Sequence, residues 1–150
     1  MSKALDHADL IKARLATAPI AGELPVPVDI TALPCNVNRQ GNIAGDIQAA
    51  VQKSAGTFLE ITWDGWQSLD DESGNPRLAH HYTIIVWSRT VKAPGMLDSD
   101  DVMQAVIMRM WDWVPYGSHV SDRAKVGNGG ILPSKTYLAY DCEVIIPAFY

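Results

Sequence analysis

The apolar positions of the first eighteen residues recur with the period of an α-helix. They share one helical face, which is made of Leu5, Ala8, Ile11, Leu15 and Ala18. Pro19 ends this helix, because the residue before a proline avoids helical dihedral angles. Three more prolines precede residue 35, so the chain around Val26–Leu33 can form an extended segment or an edge strand but not a central strand. A short second helix is predicted over residues 43–54.

Two runs with strand periodicity predict an antiparallel hairpin in the middle of the chain. In the first run, Leu59, Ile61 and Trp63 alternate with polar residues, as in a half-buried strand. The second run, His80–Val91, is apolar on both faces at its centre, which predicts a central position in the sheet. The polar connection from residue 64 to residue 79 contains the turn signal Ser-Gly-Asn-Pro.

The strongest helical pattern starts after Asp98 and ends before Pro115, with Val102, Val106 and Met110 on its apolar face. Asp98 or Ser99 is expected to cap its first amides. The glycine- and serine-rich stretch 116–134 predicts a flexible loop, and 135–146 predicts a last strand. Together the elements predict an α+β fold, a mainly antiparallel sheet with one long helix (about 100–114) and an N-terminal helix packed on it. We expect residues 1–150 to form a single domain.

Charge and composition exclude several classes of protein. Twelve basic and seventeen acidic residues give a net charge of −5, which argues against a strongly basic nucleic-acid binder. No apolar run approaches the ~18 residues of a membrane span, and the first twenty residues do not resemble a secretory signal. Cys35 and Cys142 are therefore expected as free thiols, with a disulfide between them as the alternative.

The polar motifs do not match catalytic or metal-binding patterns. His80 and His81 are adjacent and point to opposite faces of a strand, and even with His119 they form no zinc-site spacing. We expect these histidines to face solvent or to lie at loop ends. The glycines of Gly127–Gly130 precede a strand, whereas phosphate-binding loops open a helix. We therefore expect no catalytic residue, no metal and no cofactor.

Five tryptophans in 150 residues are the unusual feature of the composition. Core packing is expected for Trp63 and Trp111. Trp66 and Trp113 lie near the ends of elements, where large aromatic side chains suit a protein interface. The candidate interface residues add another aromatic residue and the charged residues of nearby loops: Trp66, Trp113, Tyr116, Asp70, Asp71, Arg77, Arg123 and Lys125.

The order of elements resembles that of the tail-terminator and minor tail (tail-completion) proteins of long-tailed bacteriophages. The shared features are an amphipathic helix near the start, a hairpin with a long polar tip, an acid-capped helix that ends in tryptophans, and closing strands. In this chain they correspond to Leu5–Ala18, Thr57–Val91, Asp98–Val114 and Lys135–Tyr150. The resemblance covers most of the chain and depends on architecture.

This resemblance implies a non-enzymatic virion protein that forms a homo-oligomeric ring, usually a hexamer, which caps the tail tube and joins it to the head. The implied partners are other copies of the chain, the tail-tube protein and the head–tail connector or neck protein, without a membrane. DNA would pass through the ring without sequence-specific recognition. The implied location is the tail or neck of the virion, and the host cytoplasm during assembly.

Two alternatives remain open from the sequence. One is a head-completion or neck protein of the same kind of virion. The other is a small α+β ligand-binding or enzymatic domain with a pocket between sheet and helix. The residues suspected in such a pocket are His81, Tyr82, Asp112 and Tyr140.

Overall fold

Five strands form one sheet in the computed structural model, which describes residues 3–38, 56–69, 76–89, 94–115, 122–133 and 137–149. The strands are β1 (Cys35–Asn38), β2 (Thr57–Ser68), β3 (Arg77–Arg89), β4 (Lys125–Pro133) and β5 (Tyr137–Phe149). Their order in the sheet is β1-β2-β3-β5-β4. The β1–β2 pair is parallel and the other three pairs are antiparallel. Two helices are described, α1 (Lys3–Leu15) and α2 (Ser99–Met110).

The predicted architecture, one long helix packed with an N-terminal helix on a mainly antiparallel sheet, is wrong. The structure is a small α+β domain with a mixed sheet and, in the described residues, two short helices. α2 has 12 residues and ends at Met110, because Trp111 is already extended and Asp112 has a left-handed φ of 53°. β1 runs parallel to β2 and makes the sheet mixed. The helix predicted over 43–54 lies outside the described residues.

The core lies between the two helices and one face of the sheet, which we term the inner face. The central strand β3 presents Tyr82, Ile84 and Val86 to this face, as its position between β2 and β5 requires. On the helix side of the core, α1 contributes Ala8, Ile11 and Leu15, and α2 contributes Val102, Val106 and Met110. Each of these side chains is at most 1% exposed, and each isoleucine or leucine contributes roughly 1.5–3 kcal/mol by its burial.

The glycine-rich stretch around residue 129 is part of a strand, so the prediction of a flexible loop there is wrong. β4 pairs with β5 and has a register shift between Val126 and Gly129. At Gly129 the main chain passes so close to β5 that a Cβ atom would overlap the carbonyl oxygen of Asp141. Glycine is therefore required for pairing at this position, although its general effect is to weaken strands.

The proline-rich segment does not form the edge strand predicted around Val26–Leu33. Strand pairing begins only at Cys35, directly after Pro34, whose carbonyl accepts a 2.8 Å hydrogen bond from the Leu59 amide. Ile30 is nevertheless buried, so the segment covers one side of the core without joining the sheet.

The two cysteines are free, as expected from the sequence. They lie on β1 and β5, which are separated by two intervening strands, or about 14 Å at the usual strand spacing. A disulfide between them is excluded, because bonded cysteines need Cα atoms within about 7 Å. Burial raises the pKa of both thiols to about 11, so they remain protonated at neutral pH.

The start of α2 differs in detail from the prediction. Asp98 occupies the N-cap position, but its side chain makes no capping hydrogen bond. Its carbonyl oxygen accepts the Val102 amide at 3.0 Å, while the hydroxyl of Ser99 lies 2.6 Å from that of Ser88 on β3. The serine pair therefore ties the first turn of α2 to the sheet. No helix among the described residues is long and apolar enough to cross a bilayer.

Candidate interaction surface

An open groove lies beside the C-terminal end of α2 and has a volume of about 590 Å³. Four large apolar side chains around it are exposed, namely Ile20 (70%), Leu24 (45%), Trp111 (54%) and Val114 (46%). Trp113 also lines it. We term this concave surface the helix-end groove. A cluster of exposed large apolar side chains around a concavity is typical of an interaction site.

The groove exists because α2 ends before its tryptophans. Trp111 follows the last helical residue and its amide donates to the Ile107 carbonyl at 2.9 Å, after which the left-handed Asp112 turns the chain. Trp111 is consequently 54% exposed, so the prediction that it packs in the core is wrong. Trp113 is partly buried, and its carbonyl accepts the Ala124 amide at 2.7 Å, next to the start of β4.

At the groove, two arginines and one glutamate connect three parts of the chain, and Arg14 and Glu23 belong to the groove lining. Arg14 of α1 lies 2.5 Å from Glu23, and Arg109 of α2, only 1% exposed, lies 3.1 Å from the same carboxylate. The Arg14 guanidinium also lies 5.7 Å from the Trp113 ring centroid, in cation–π range. The proline-rich segment is thereby fixed to both helices, and the groove wall that it forms is fixed with it.

The hydrogen bonds to Glu23 keep its carboxylate ionised. The Ile20 amide donates to it at 2.9 Å, and this bond, followed by that from Arg14, lowers the pKa of Glu23 to about 2. Of the charged residues, Arg14, Glu23 and Asp112 line the groove, one positive and two negative, while Arg109 is buried behind them. The sequence analysis missed both arginines and Glu23, although Arg109 carries a usable signal, a charge three positions after Val106 on the apolar face of α2.

A second exposed aromatic surface lies on β2. The register of the β2–β3 pair shifts between Trp63 and Gly65, so that Trp63 pairs with Tyr82 and Trp66 pairs with His80. Since paired residues share a face, the bulge brings both tryptophans to the inner face. Trp63 is 38% exposed and Trp66 is 58% exposed. We term Trp63, Trp66 and His80 the bulge patch.

The bulge patch corrects two predictions. Trp63 was expected in the core, but it is exposed, and its indole N–H donates to His80 Nδ1 at 3.2 Å. His80 was expected to face solvent, but it is 2% exposed, with the ring of His7 at 5.6 Å between centroids. Burial, with the neighbouring charges of His7 and His81, lowers the pKa of His80 to about 4. The His80 ring is therefore neutral at physiological pH.

The charged candidates from the sequence form surface pairs where they are described. Arg77 lies 3.4 Å from Asp122, and Arg123 lies 3.9 Å from Asp112 at the edge of the groove. Lys125 is exposed at the start of β4. Tyr116, Asp70, Asp71 and His119 lie outside the described residues. Among the candidates, Trp113 lines the groove, and Asp112, the ion-pair partner of Arg123, lines it too. Trp66 belongs to the bulge patch.

The four residues suspected in an enzymatic pocket do not converge. Tyr82 is fully buried on the inner face, and His81 lies on the opposite face, 3.6 Å from Glu143. Asp112 lines the helix-end groove. Tyr140 lies on β5, where a hydrogen bond with Asp100 raises the pKa of its hydroxyl. Within the described part of the chain, no three His, Cys, Asp or Glu side chains are placed to hold a metal ion.

Neither a protein-family model nor a curated protein matches this chain.

Proposed function

We propose that this chain is a structural protein of a tailed bacteriophage, a tail-terminator or minor tail protein. Its copies close into a ring, with six copies implied by the resemblance, that caps the tail tube and joins it to the head. The observation that carries this proposal is the helix-end groove with its four exposed apolar side chains. Such a surface is costly to leave in water and is typical of a protein that functions in contact with another.

The presence of two different exposed aromatic surfaces supports a ring. A closed ring of identical subunits uses heterologous contacts, in which one surface of a subunit meets a different surface of the next. The helix-end groove belongs to α2 and the proline-rich segment, and the bulge patch belongs to β2 and β3. Two unlike surfaces on one subunit fit this requirement.

The proposal assigns no catalytic step, and its partners are proteins. They are further copies of the chain, the tail-tube protein and the connector or neck protein, in the virion and in the host cytoplasm during assembly. Two observations support a role without chemistry. The helix–sheet interface is filled by apolar side chains such as Ile61, Ile84 and Val106, all unexposed, and the suspected pocket residues lie apart. A net charge of −5 is compatible with a lumen through which DNA passes without adhering.

Sedimentation velocity and electron microscopy of the purified protein, with and without tail-tube protein, test this proposal. We expect ring-shaped oligomers, either in the protein alone or on the ends of tubes. Leu24→Ser should reduce assembly and leave the fold intact, because the side chain is already 45% exposed. Ile131→Ser is the matched control, since Ile131 is a similarly exposed apolar residue outside the groove lining.

A protein that stays monomeric at high concentration, and that binds no tail-tube protein, would contradict the proposal. Rings that bind the connector but not the tail tube would instead identify a head-completion or neck protein.

A further inference from the structure

We infer that the bulge patch is a proton-operated switch, in which a proton bound at His80 Nδ1 breaks the hydrogen bond from Trp63 and releases its indole. The switch belongs to a single subunit, so it goes beyond the proposed function and does not depend on a ring. Its consequence concerns recognition. Trp63 is one of the two exposed tryptophans of the bulge patch, so acid changes the surface that a partner meets there.

The hydrogen bond defines which nitrogen of His80 carries the proton. The Trp63 indole nitrogen can only donate, and it lies 3.2 Å from His80 Nδ1. Nδ1 is therefore the bare acceptor nitrogen, and the neutral ring has its one proton on Nε2. A second proton, taken from solvent, can bind only at Nδ1 and turns this acceptor into a donor. Two N–H groups then face each other, and the hydrogen bond is lost.

Burial of His80 links proton uptake to movement of the indole. The His80 ring is 2% exposed, and the Trp63 ring lies 6.0 Å from it between centroids. Burial is the largest cause that lowers the pKa of His80 from 6.5 to about 4. When the indole moves away, water reaches the His80 ring and its pKa rises towards the ordinary value. Acid therefore favours the released indole over the bound one by up to about 300-fold, the ratio that corresponds to the difference between the two pKa values.

The charged groups of α1 do not offset this cost of protonation. His7 is 3% exposed, and its ring meets the His80 ring edge-on with 5.6 Å between centroids. Asp6 is exposed and Asp9 is partly buried on the same helix. The charges that act on the pKa of His80 are those of His7 and His81, and both repel a proton on it.

The sheet residues around His80 do not offer a counter-ion either. The residues paired with it are Trp66 on β2 and Ile146 on β5, and neither carries a charge. Tyr82, on the same face of β3, places its ring 6.5 Å away between centroids. The carboxylate of Asp64, at the bulge, accepts a hydrogen bond from a threonine on the opposite face of β3. Among the described residues, the surroundings of His80 therefore favour its neutral ring and the bond to Trp63.

Two-dimensional ¹⁵N–¹H NMR of the protein between pH 7.5 and pH 4 tests the switch. Trp63→Phe identifies the indole N–H signal of Trp63, and the imidazole signals of His80 report its protonation. We expect the Trp63 signal to shift with the same midpoint as His80 protonation, between pH 4 and pH 6.5. The indole signals of Trp111 and Trp113, in the helix-end groove, should keep their positions and show that the subunit remains folded.

His80→Gln should make the Trp63 signal independent of pH, because the amide oxygen of glutamine accepts the same hydrogen bond and does not titrate. His81→Gln is the matched control and should keep the titration, because His81 is the smallest cause of the lowered His80 pKa.

Protonation of His80 without a shift of the Trp63 signal would overturn the inference, and so would an unchanged titration in His80→Gln. Collapse of all indole signals at one pH would overturn it too, because acid would then unfold the whole subunit and not switch one surface. The proposed ring is tested separately by sedimentation and microscopy, so either proposal can fail without the other.

Discussion

Arg14 and Arg109 each donate a hydrogen bond to the main-chain carbonyl of the other. Arg14 Nε reaches the Arg109 carbonyl at 3.0 Å, and Arg109 Nη2 reaches the Arg14 carbonyl at 3.4 Å. Both carbonyls belong to the last turn of a helix, where intrahelical partners are missing and the helix dipole is negative. Each arginine therefore caps the other's helix, and Glu23 between them offsets the repulsion of the two guanidinium groups.

Arg109→Ala should destabilise the protein by about 3 kcal/mol, because it removes a large buried side chain, its ion pair with the partly exposed Glu23, and a cap from α1. Urea unfolding followed by circular dichroism measures the change. Arg123→Ala is the control, since its 3.9 Å pair with Asp112 is exposed and should contribute less than about 1 kcal/mol. If both variants lose the same free energy of unfolding, the contacts of Arg109 with Glu23 and with the Arg14 carbonyl contribute little to stability.

Mild acid should destabilise the protein through His80. The folded-state pKa is about 4, whereas the unfolded value is 6.5. Between these pH values the unfolded chain binds a proton that the folded chain does not, so the free energy of unfolding falls as the pH falls. The loss approaches about 3 kcal/mol near pH 4, and the contribution is fully present above pH 6.5.

Urea unfolding at several pH values between 7 and 4.5 measures this effect. His80→Gln should flatten the pH dependence, while His81→Gln should leave most of it, because burial is the largest cause of the lowered His80 pKa and His81 the smallest of the three. Parallel curves for wild type and His80→Gln would contradict the assignment. The measurements stop at pH 4.5 because, below this pH, the lowered pKa of Glu23 causes a further loss of stability.

Gly129→Ala should destabilise β4, because the new methyl group would overlap the Asp141 carbonyl oxygen of the paired strand. We expect a loss of about 2 kcal/mol, typical of overpacking. Gly130→Ala is a control one residue away, where the nearest atom, Asp141 Oδ1, would lie at an ordinary 3.5 Å. Thermal unfolding of both variants measures the difference. Equal melting temperatures would contradict the close approach of Gly129 to the Asp141 carbonyl.

Replacing residues 70–75 with Asn-Gly should leave the subunit folded and prevent its assembly. The β2–β3 register is already complete at Ser68 and Leu78, so a shorter turn should cost little stability. Circular dichroism should report a native fold and sedimentation velocity should report a monomer. A variant that still forms rings would show that the acidic sequence takes no part in assembly.

Local patterns predicted the parts of the fold that depend on neighbouring residues. The alternation around Leu59 and Ile61 and the apolar centre of β3 predicted the antiparallel hairpin, which the register confirms. The period of Val102, Val106 and Met110 predicted the buried face of α2 correctly. These signals are readable because a helix or strand repeats its burial at a fixed interval.

The surfaces were decided by tertiary structure alone. The exposure of Trp111 depends on where α2 stops, and that of Trp66 on a one-residue bulge that changes which face a side chain occupies. Gly129 belongs to a strand because β5 passes close to it. Arg109 is buried against Glu23 and Arg14, which lie 86 and 95 positions earlier in the sequence. Sequence periodicity records which side of an element is apolar, but whether another element covers that side depends on contacts between distant parts of the chain.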